Sequence, residues 1–247
     1  MSEGLTLVVP GTLTVGVDAS APGALHSDPA EPGFQGFEVD LMEAVAARLG
    51  LTYRYQGGLW AGLIDELRSG GLDAIVTAAT VTEERRRTVD FSEPYFDYRL
   101  AIVARKGSGI RSPGDLAGRR LGARVATTAH EFVRRALDAG EVRAFHTNVE
   151  AYEAVRAGTL DAVVEDEPIA QWFVERDPLL ELSSTLPGTD AQYAVMFRKG
   201  NDALRHAVNR ALGELRAKGT YGQLYEKWFG AGRKPSLTSP APPDPEA

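Results

Sequence analysis

The chain has 247 residues, 43% of them hydrophobic and 25% charged, enough for one large or two modest globular domains. Lys and Arg total 27 against 34 Asp and Glu, and the resulting net charge of −7 argues against non-specific nucleic-acid binding, which needs a basic face. The absence of cysteine excludes disulfides, thiolate metal sites and a cysteine nucleophile, and no run of about eighteen apolar residues is present to span a bilayer as a helix.

From Leu5 to Val9 a short apolar stretch either adds an edge strand or packs outside the core. Thr12 to Asp18 alternates as a strand does. Asp18 closes it, at a strand carboxyl end, where it either faces a cleft or opens a turn. Residues 19–35 form a loop rich in Pro and Gly. Asp40 to Leu49 is predicted helical, with Leu41, Met42, Val45 and Leu49 on one stripe and Gly50 as the stop. Leu51 to Tyr55 is a strand, and Trp60 opens a helical pattern carrying Leu63, Ile64 and Leu67.

Leu72 to Val76 reads as a buried strand that runs into the hydroxyl-bearing turn Thr77-Ala78-Ala79-Thr80. Thr82, followed by Glu83 and Glu84, is a helix-start signal. Free N–H groups at such a turn attract anions, and Arg85 lies close enough to fork onto a carboxylate. The competing reading of Arg85-Arg86-Arg87 is a solvated basic face. Arg99 to Ala104 is an apolar strand, and Ser112 to Gly118 a capped turn with Pro113 at its first position. Arg120 to Arg124 is a strand that feeds Val125-Ala126-Thr127-Thr128-Ala129 and a helix through Phe132, Val133, Ala136 and Leu137. A strand from Val142 to Phe145, a helix from Glu150 to Ala157 and a strand from Ala191 to Phe197 follow. A helix from Asp202 to Ala217 carries Leu204, Val208, Leu212 and Leu215, and the last helix places Tyr221, Leu224, Tyr225 and Trp228 at core spacing. Residues 231–247 hold five prolines and are expected to be a disordered tail.

One unit occurs twice. Leu67-Arg68-Ser69-Gly70-Gly71-Leu72-Asp73-Ala74-Ile75-Val76 parallels Val155-Arg156-Ala157-Gly158-Thr159-Leu160-Asp161-Ala162-Val163-Val164, each a helix end, a Gly stop and an apolar strand. The first strand delivers Thr77 to Thr80; the second delivers Glu165, Asp166 and Pro168. In open α/β sheets ligands bind beyond the carboxyl ends of strands. A cationic group at one such end and an anionic group at the other suit a zwitterion.

Catalytic signatures are missing: there is no nucleophile elbow, P-loop, paired-Gly dinucleotide fingerprint or His pair at zinc spacing. His26, His130, His146 and His206 are scattered and read as surface or loop residues. Glu165, Asp166 and Glu167 are close in sequence, but no Asp/Asn-Gly loop supports calcium, so neither a metal nor a cofactor is expected.

Four segments, Gly36-Phe37-Glu38-Val39-Asp40-Leu41, Thr80-Val81-Thr82-Glu83-Glu84-Arg85, Val89-Asp90-Phe91-Ser92-Glu93-Pro94-Tyr95 and Gly219-Thr220-Tyr221 with Tyr225-Glu226-Lys227-Trp228-Phe229-Gly230, resemble the family 3 solute-binding proteins, the polar amino-acid receptors of ABC importers. The resemblance runs from about Leu13 to Gly230. It implies an α/β, two-lobe periplasmic-binding-protein-like (type II) fold with two hinge crossings, near Tyr95 to Arg99 and Asp190 to Ala194. Lobe 1 would comprise residues 1–96 and 193–230, lobe 2 residues 97–192. By the same resemblance, ligand contacts are expected from Asp18, Trp60, Ala78, Thr80, Arg85, Arg124, Thr127, Thr128, Glu165 and Asp166. Arg85 with Thr80, Thr127 and Thr128 would hold the carboxylate and Asp166 the α-ammonium. Trp60 would stack on the ligand side chain, unless it is core, and Arg124 would contact that side chain, unless it is a surface residue. The family's aromatic-Pro-Pro-Phe segment after the aspartate is replaced here by Ala21-Pro22-Gly23-Ala24-Leu25.

The implied function is that of an extracytoplasmic receptor, expected as a monomer, that delivers an amino acid to an ABC importer permease in the membrane, with no nucleic-acid partner. It would be periplasmic or extracellular and membrane-associated; Met1 to Gly4 has neither a basic n-region nor an apolar h-region, so either the signal peptide is removed or secretion does not use that route. Two alternatives remain on the same fold: a cyclohexadienyl or arogenate dehydratase using Glu165 or Asp18 as acid, and a ligand-sensing module.

Overall fold

The computed structural model describes residues 4–19 and 34–230. The substituted segment Ala21 to Leu25, His26 and the proline-rich tail 231–247 lie outside the described residues. In chain order the elements are β1 (Thr12–Asp18), α1 (Phe37–Leu49), β2 (Thr52–Gly58), α2 (Trp60–Ser69), β3 (Ala74–Ile75), α3 (Glu83–Arg86), β4 (Val89–Phe91) and β5 (Phe96–Tyr98). Then come β6 (Leu100–Arg105), β7 (Arg120–Arg124), α4 (Thr128–Ala136), β8 (Glu141–Phe145), α5 (Asn148–Arg156), β9 (Ala162–Asp166), α6 (Glu167–Arg176) and β10 (Leu180–Thr185). The last are β11 (Ala191–Tyr193), β12 (Met196–Arg198), α7 (Asp202–Ala217) and α8 (Thr220–Phe229).

The described residues fall into two compact units. One holds 4–19, 34–97 and 191–230, the other 98–190. The first unit contains a five-stranded sheet ordered β2-β1-β3-β12-β4, the second a five-stranded sheet ordered β10-β6-β9-β7-β8. Within each, a first strand lies parallel between two others: β1 between β2 and β3, β7 between β8 and β9. An antiparallel strand follows in each, β12 against β3 and β6 against β9. The duplicated segment of the sequence is the same step in both sheets, the helix end and Gly stop that lead into β3 and into β9. A further two-stranded ladder pairs β5 with β11, the segments at which the chain leaves and re-enters the first unit.

The duplication extends to side-chain contacts. Asp73, just before β3, donates its N–H to the Thr14 carbonyl at 2.9 Å, and its carboxylate accepts from Thr14 N–H at 2.8 Å and Val8 N–H at 2.7 Å. Asp161, just before β9, donates its N–H to the Arg120 carbonyl at 2.9 Å, and its carboxylate accepts from Arg120 N–H at 2.8 Å. Each aspartate thus completes the hydrogen bonding of the neighbouring parallel strand near its start. Two glycines give the preceding leucines room: a Cβ on Gly16 would sit 2.6 Å from Leu72 Cδ1, and one on Gly122 would sit 2.5 Å from Leu160 Cδ2.

Packing follows the expected stripes. Leu41, Met42 and Val45 of α1 are buried with Leu13, Val15 and Val17 of β1. At about 1.5–3 kcal/mol per fully buried side chain, these six dominate the local stability. Gly50 ends α1 in the left-handed conformation, φ 69°. Helix α1 begins at Phe37, three residues before the predicted start, because Phe37 is itself buried against Tyr221 (5.5 Å between ring centroids) and Phe229 (5.6 Å). Strand β3 is shorter than the apolar run around it, while β2 extends to Gly58 through its pairing with β1. Within 5–9, Val8 and Val9 stay exposed, and the strand pairing there is an isolated bridge, Val9 to Thr12. Of the last helix only Tyr221 is fully inside; Leu224, Tyr225 and Trp228 are half-buried.

The paired aspartates titrate in opposite senses. Hydrogen bonds from Arg120 hold the Asp161 carboxyl below its ordinary value of 3.8, so it favours folding above that value and this contribution is lost as pH falls through the lowered folded pKa. Burial pushes Asp73 above 3.8, its backbone N–H bonds offsetting only part, so its contribution is present at low pH and lost as pH rises through the raised folded pKa. Urea titrations between pH 2 and 7 should therefore show the stability gap between wild type and Asp161→Asn closing as pH falls. The gap for Asp73→Asn should narrow as pH rises instead. Parallel pH profiles for the two variants would contradict this assignment.

Candidate functional site

In the first unit, adjacent parallel strands β1 and β3 run in register (Gly16 beside Ile75) and release Asp18 and the turn 77–80 at their carboxyl ends. Asp18 is fully buried, and its N–H donates to Thr77 Oγ1 at 3.1 Å. The Asp18 side chain is inside the protein at this strand end. Ala78 takes a left-handed backbone, φ 50°, and its N–H donates to Glu38 Oε1 at 2.7 Å. Thr80 is buried and bridges Tyr193.

The arginine triplet is not a uniform solvent face. Thr82 caps α3, its hydroxyl accepting the Arg85 N–H at 3.1 Å. Helix α3 spans only four residues, so its macrodipole contributes little of the anion attraction expected there. The Arg85 side chain is held instead by its own contacts: Nη1 donates to the Thr80 carbonyl at 2.8 Å, and the guanidinium lies 4.7 Å from the Trp60 ring centroid. Trp60 belongs to the core cluster with Leu63, Leu67, Leu72 and Met196 while carrying Arg85 on its ring. Arg86 packs over Phe91 at 5.6 Å, and Arg87 is exposed.

In the second unit the parallel neighbours β7 and β9, with Gly122 beside Val163, end in Arg124 and in Glu165-Asp166. Arg124 is 8% exposed, which excludes the surface reading. Ala126 is left-handed, φ 61°, the counterpart of Ala78. Thr127 caps α4 by accepting the His130 N–H at 3.2 Å, and its hydroxyl donates to the Arg124 carbonyl at 2.6 Å. Thr128 Oγ1 is 3.3 Å from the Tyr98 hydroxyl. Glu165 and Asp166 are 5% and 6% exposed, and Glu165 Oε1 accepts the Asp166 N–H at 2.9 Å. The fully buried Tyr152, stacked on Phe173 at 3.9 Å between centroids, has its hydroxyl pushed up by burial and then by the Glu165 and Asp166 charges.

The structure therefore gathers the sequence-derived residues into two sets. Asp18, Trp60, Ala78, Thr80 and Arg85 stand at the carboxyl edge of β1 and β3; Arg124, Thr127, Thr128, Glu165 and Asp166 stand at that of β7 and β9. Glu38, an acid inside the apolar stripe that begins at Phe37, is not among the residues singled out from the sequence, yet it contacts the 77–80 turn through the Ala78 N–H. His146 and His206 are exposed and His130 half-buried. Among the described residues no group of three or more His, Asp or Glu is arranged to hold a metal ion, and no helix is long and apolar enough to cross a membrane.

Residues 13–231 match the family described as bacterial extracellular solute-binding proteins, family 3. The chain is 31% identical over 229 residues to the L-cystine-binding protein TcyJ of Escherichia coli (strain K12), covering 90% of this chain and 84% of that one. Among solved structures it is similar to the arginine-, lysine-, histidine-binding protein ArtJ of Geobacillus stearothermophilus, with a TM-score of 0.83, 31% identity, and coverage of 92% of this chain and 97% of that one. It is also similar to the ancestral amino-acid-binding protein AncCDT-1, a precursor of cyclohexadienyl dehydratase, with a TM-score of 0.80, 32% identity, and coverage of 89% and 96%. These likenesses bear out the expected α/β, two-lobe binding-protein fold class. With the match spanning nearly the whole described chain, the protein belongs to the bacterial extracellular solute-binding proteins, family 3.

Proposed function

We propose that this protein is an extracytoplasmic receptor that binds a polar amino acid with both residue sets and delivers it to the permease of an ABC importer, acting as a monomer without catalysis. The observation that carries the reading is the duplicated carboxyl edge, where each unit ends its central parallel strand pair in buried charged or hydrogen-bonding groups of the kind a zwitterion needs. Arg85, with Thr80, Thr127 and Thr128, serves the ligand carboxylate. Asp166 serves the α-ammonium. Asp18, Glu165, Arg124 and Trp60 serve the side chain. Relatives named for cystine, arginine, lysine and histidine support an amino acid as ligand.

A thermal-shift screen of the L-amino acids with L-cystine tests this directly. A true ligand at a hundred times its Kd should add about 2.7 kcal/mol of stability, and the absence of a shift with every compound would end the receptor reading.

Arg85 should not be replaceable by lysine. Its guanidinium lies over the Trp60 ring and bonds the Thr80 carbonyl while keeping further N–H groups in a planar fork suited to a carboxylate, and a lysine ammonium lacks that fork. Arg85→Lys is expected to weaken binding about tenfold or more by calorimetry; a folded Arg85→Ala with wild-type affinity would make Arg85 a purely structural residue.

Asp166→Asn should lose on the order of a hundredfold in affinity, since removing one member of a desolvated charge pair costs about 2–5 kcal/mol. The deaminated analogue of the ligand should lose a similar amount against wild type, and the two losses should not add, because both delete one interaction. Strictly additive losses would place Asp166 elsewhere. The dehydratase alternative draws on the likeness to AncCDT-1; turnover of arogenate by the purified protein, abolished in Glu165→Gln, would establish it in place of the receptor.

A further inference from the structure

Glu38 is the second residue of α1 and is fully buried. Gly36, at the cap of α1, makes no side-chain cap hydrogen bond. A buried carboxylate is tolerated where donors surround it, and the first turn of a helix adds a favourable dipole. Glu38 Oε1 accepts two donors from distant parts of the chain: the N–H of Ala78 at 2.7 Å and the hydroxyl of Tyr95.

Both donors are unusual. Ala78 is one of two non-glycine residues at positive φ among the described residues, and its Cβ opposes that conformation. Tyr95 is fully buried, and burial together with the Glu38 charge pushes its hydroxyl upward, so it stays protonated and able to donate. The rest of Tyr95 is also fixed: its N–H donates to the Tyr193 carbonyl at 2.9 Å, and its carbonyl accepts the Tyr221 hydroxyl. Tyr95 lies two residues before Asp97, where the chain leaves the first unit. The segment re-entering that unit holds the other side of the turn, with Ala194 N–H on the Ala79 carbonyl at 3.1 Å and Thr80 bridged to Tyr193. One carboxylate therefore ties the turn 77–80 to the exit segment, while the return segment holds the same turn by its backbone.

We infer that Glu38 is a positioning residue for amino-acid binding, its carboxylate holding Ala78 in the left-handed conformation and so aiming the Ala78–Thr80 backbone at the bound zwitterion. Strained backbone persists where surrounding bonds over-determine it, and such strain gathers at ligand clamps. The inference rests on the amino-acid reading above and assigns to Glu38 a role that does not require contact with the ligand.

The test separates positioning from general stability and from failure of the ligand reading. In the ligand-free protein, the Ala78 amide should exchange with solvent deuterium at least about tenfold faster in Glu38→Gln than in wild type, as its acceptor is weakened. Calorimetry with L-arginine, L-cystine and L-histidine as separate probes, well below the melting temperature, should show an affinity loss of about tenfold or more for whichever binds wild type. Ala78→Gly relieves the φ restriction, so it should raise the melting temperature yet weaken binding. The double variant should bind no worse than the weaker single one, because both changes free the same turn. If Glu38→Gln fails to fold, Tyr95→Phe removes one donor while keeping the ring, and the same two measurements apply with smaller changes. Unchanged Ala78 exchange, or unchanged affinity in a folded but less stable Glu38→Gln, overturns the inference. Should none of the three probes bind wild type, the ligand reading fails for them, and the exchange rate alone decides whether Glu38 holds the turn.

Discussion

Two strands laid parallel and in contact, β1 with β3 and β7 with β9, determine where most of the candidate residues stand. Parallel neighbours end at the same edge of a sheet, so whatever follows both strands is brought together there. Register is pinned near the amino ends by Asp73 and Asp161, whose carboxylates accept backbone N–H groups of the strand alongside. It is further constrained by Leu72 and Leu160, each filling the space opposite a glycine of that strand. A slip by one residue would reverse the face of every side chain on the strand, turning Asp18 or Asp166 out of its buried position.

The carboxyl edges hold what a folding chain otherwise avoids. Asp18, Glu165, Asp166 and Arg124 are ionisable side chains that are nearly inaccessible, and Ala78 and Ala126 occupy backbone conformations that disfavour a Cβ. Beneath them lie apolar layers, with Leu13, Val15 and Ile75 in one unit and Leu121, Val163 and Val164 in the other buried. The planar head of Arg85 is likewise held, by an aromatic ring and a carbonyl.

Much of this was legible from the chain alone. Periodicity marked most strands and helices, and the repeated Leu-Asp-Ala-Ile/Val-Val segment marked the equivalent strands β3 and β9. Because those runs are apolar and end in Thr77 and in Glu165-Asp166, the candidate residues at strand ends could be named before any fold was known. The hydroxyl of Thr82 likewise announced the start of α3, since a cap depends on residues only three positions apart.

Other features depended on contacts that no local pattern encodes. Glu38 meets Ala78 across forty positions and Tyr95 across fifty-seven, and a hydrogen bond at that separation leaves no periodic trace. The left-handed turns at Ala78 and Ala126 contradict what alanine prefers by itself, so only surrounding bonds could impose them. Trp60 fits the core or a ligand wall by pattern alone, and only the fold shows that it packs with Leu63, Leu67 and Met196 while seating Arg85. The sequence by itself determined which residues lie at the ends of which strands, because alternation and stop residues act over a few positions. The tertiary structure alone decided which of those residues are buried, strained or joined, because burial and long-range hydrogen bonds exist only once distant segments have packed.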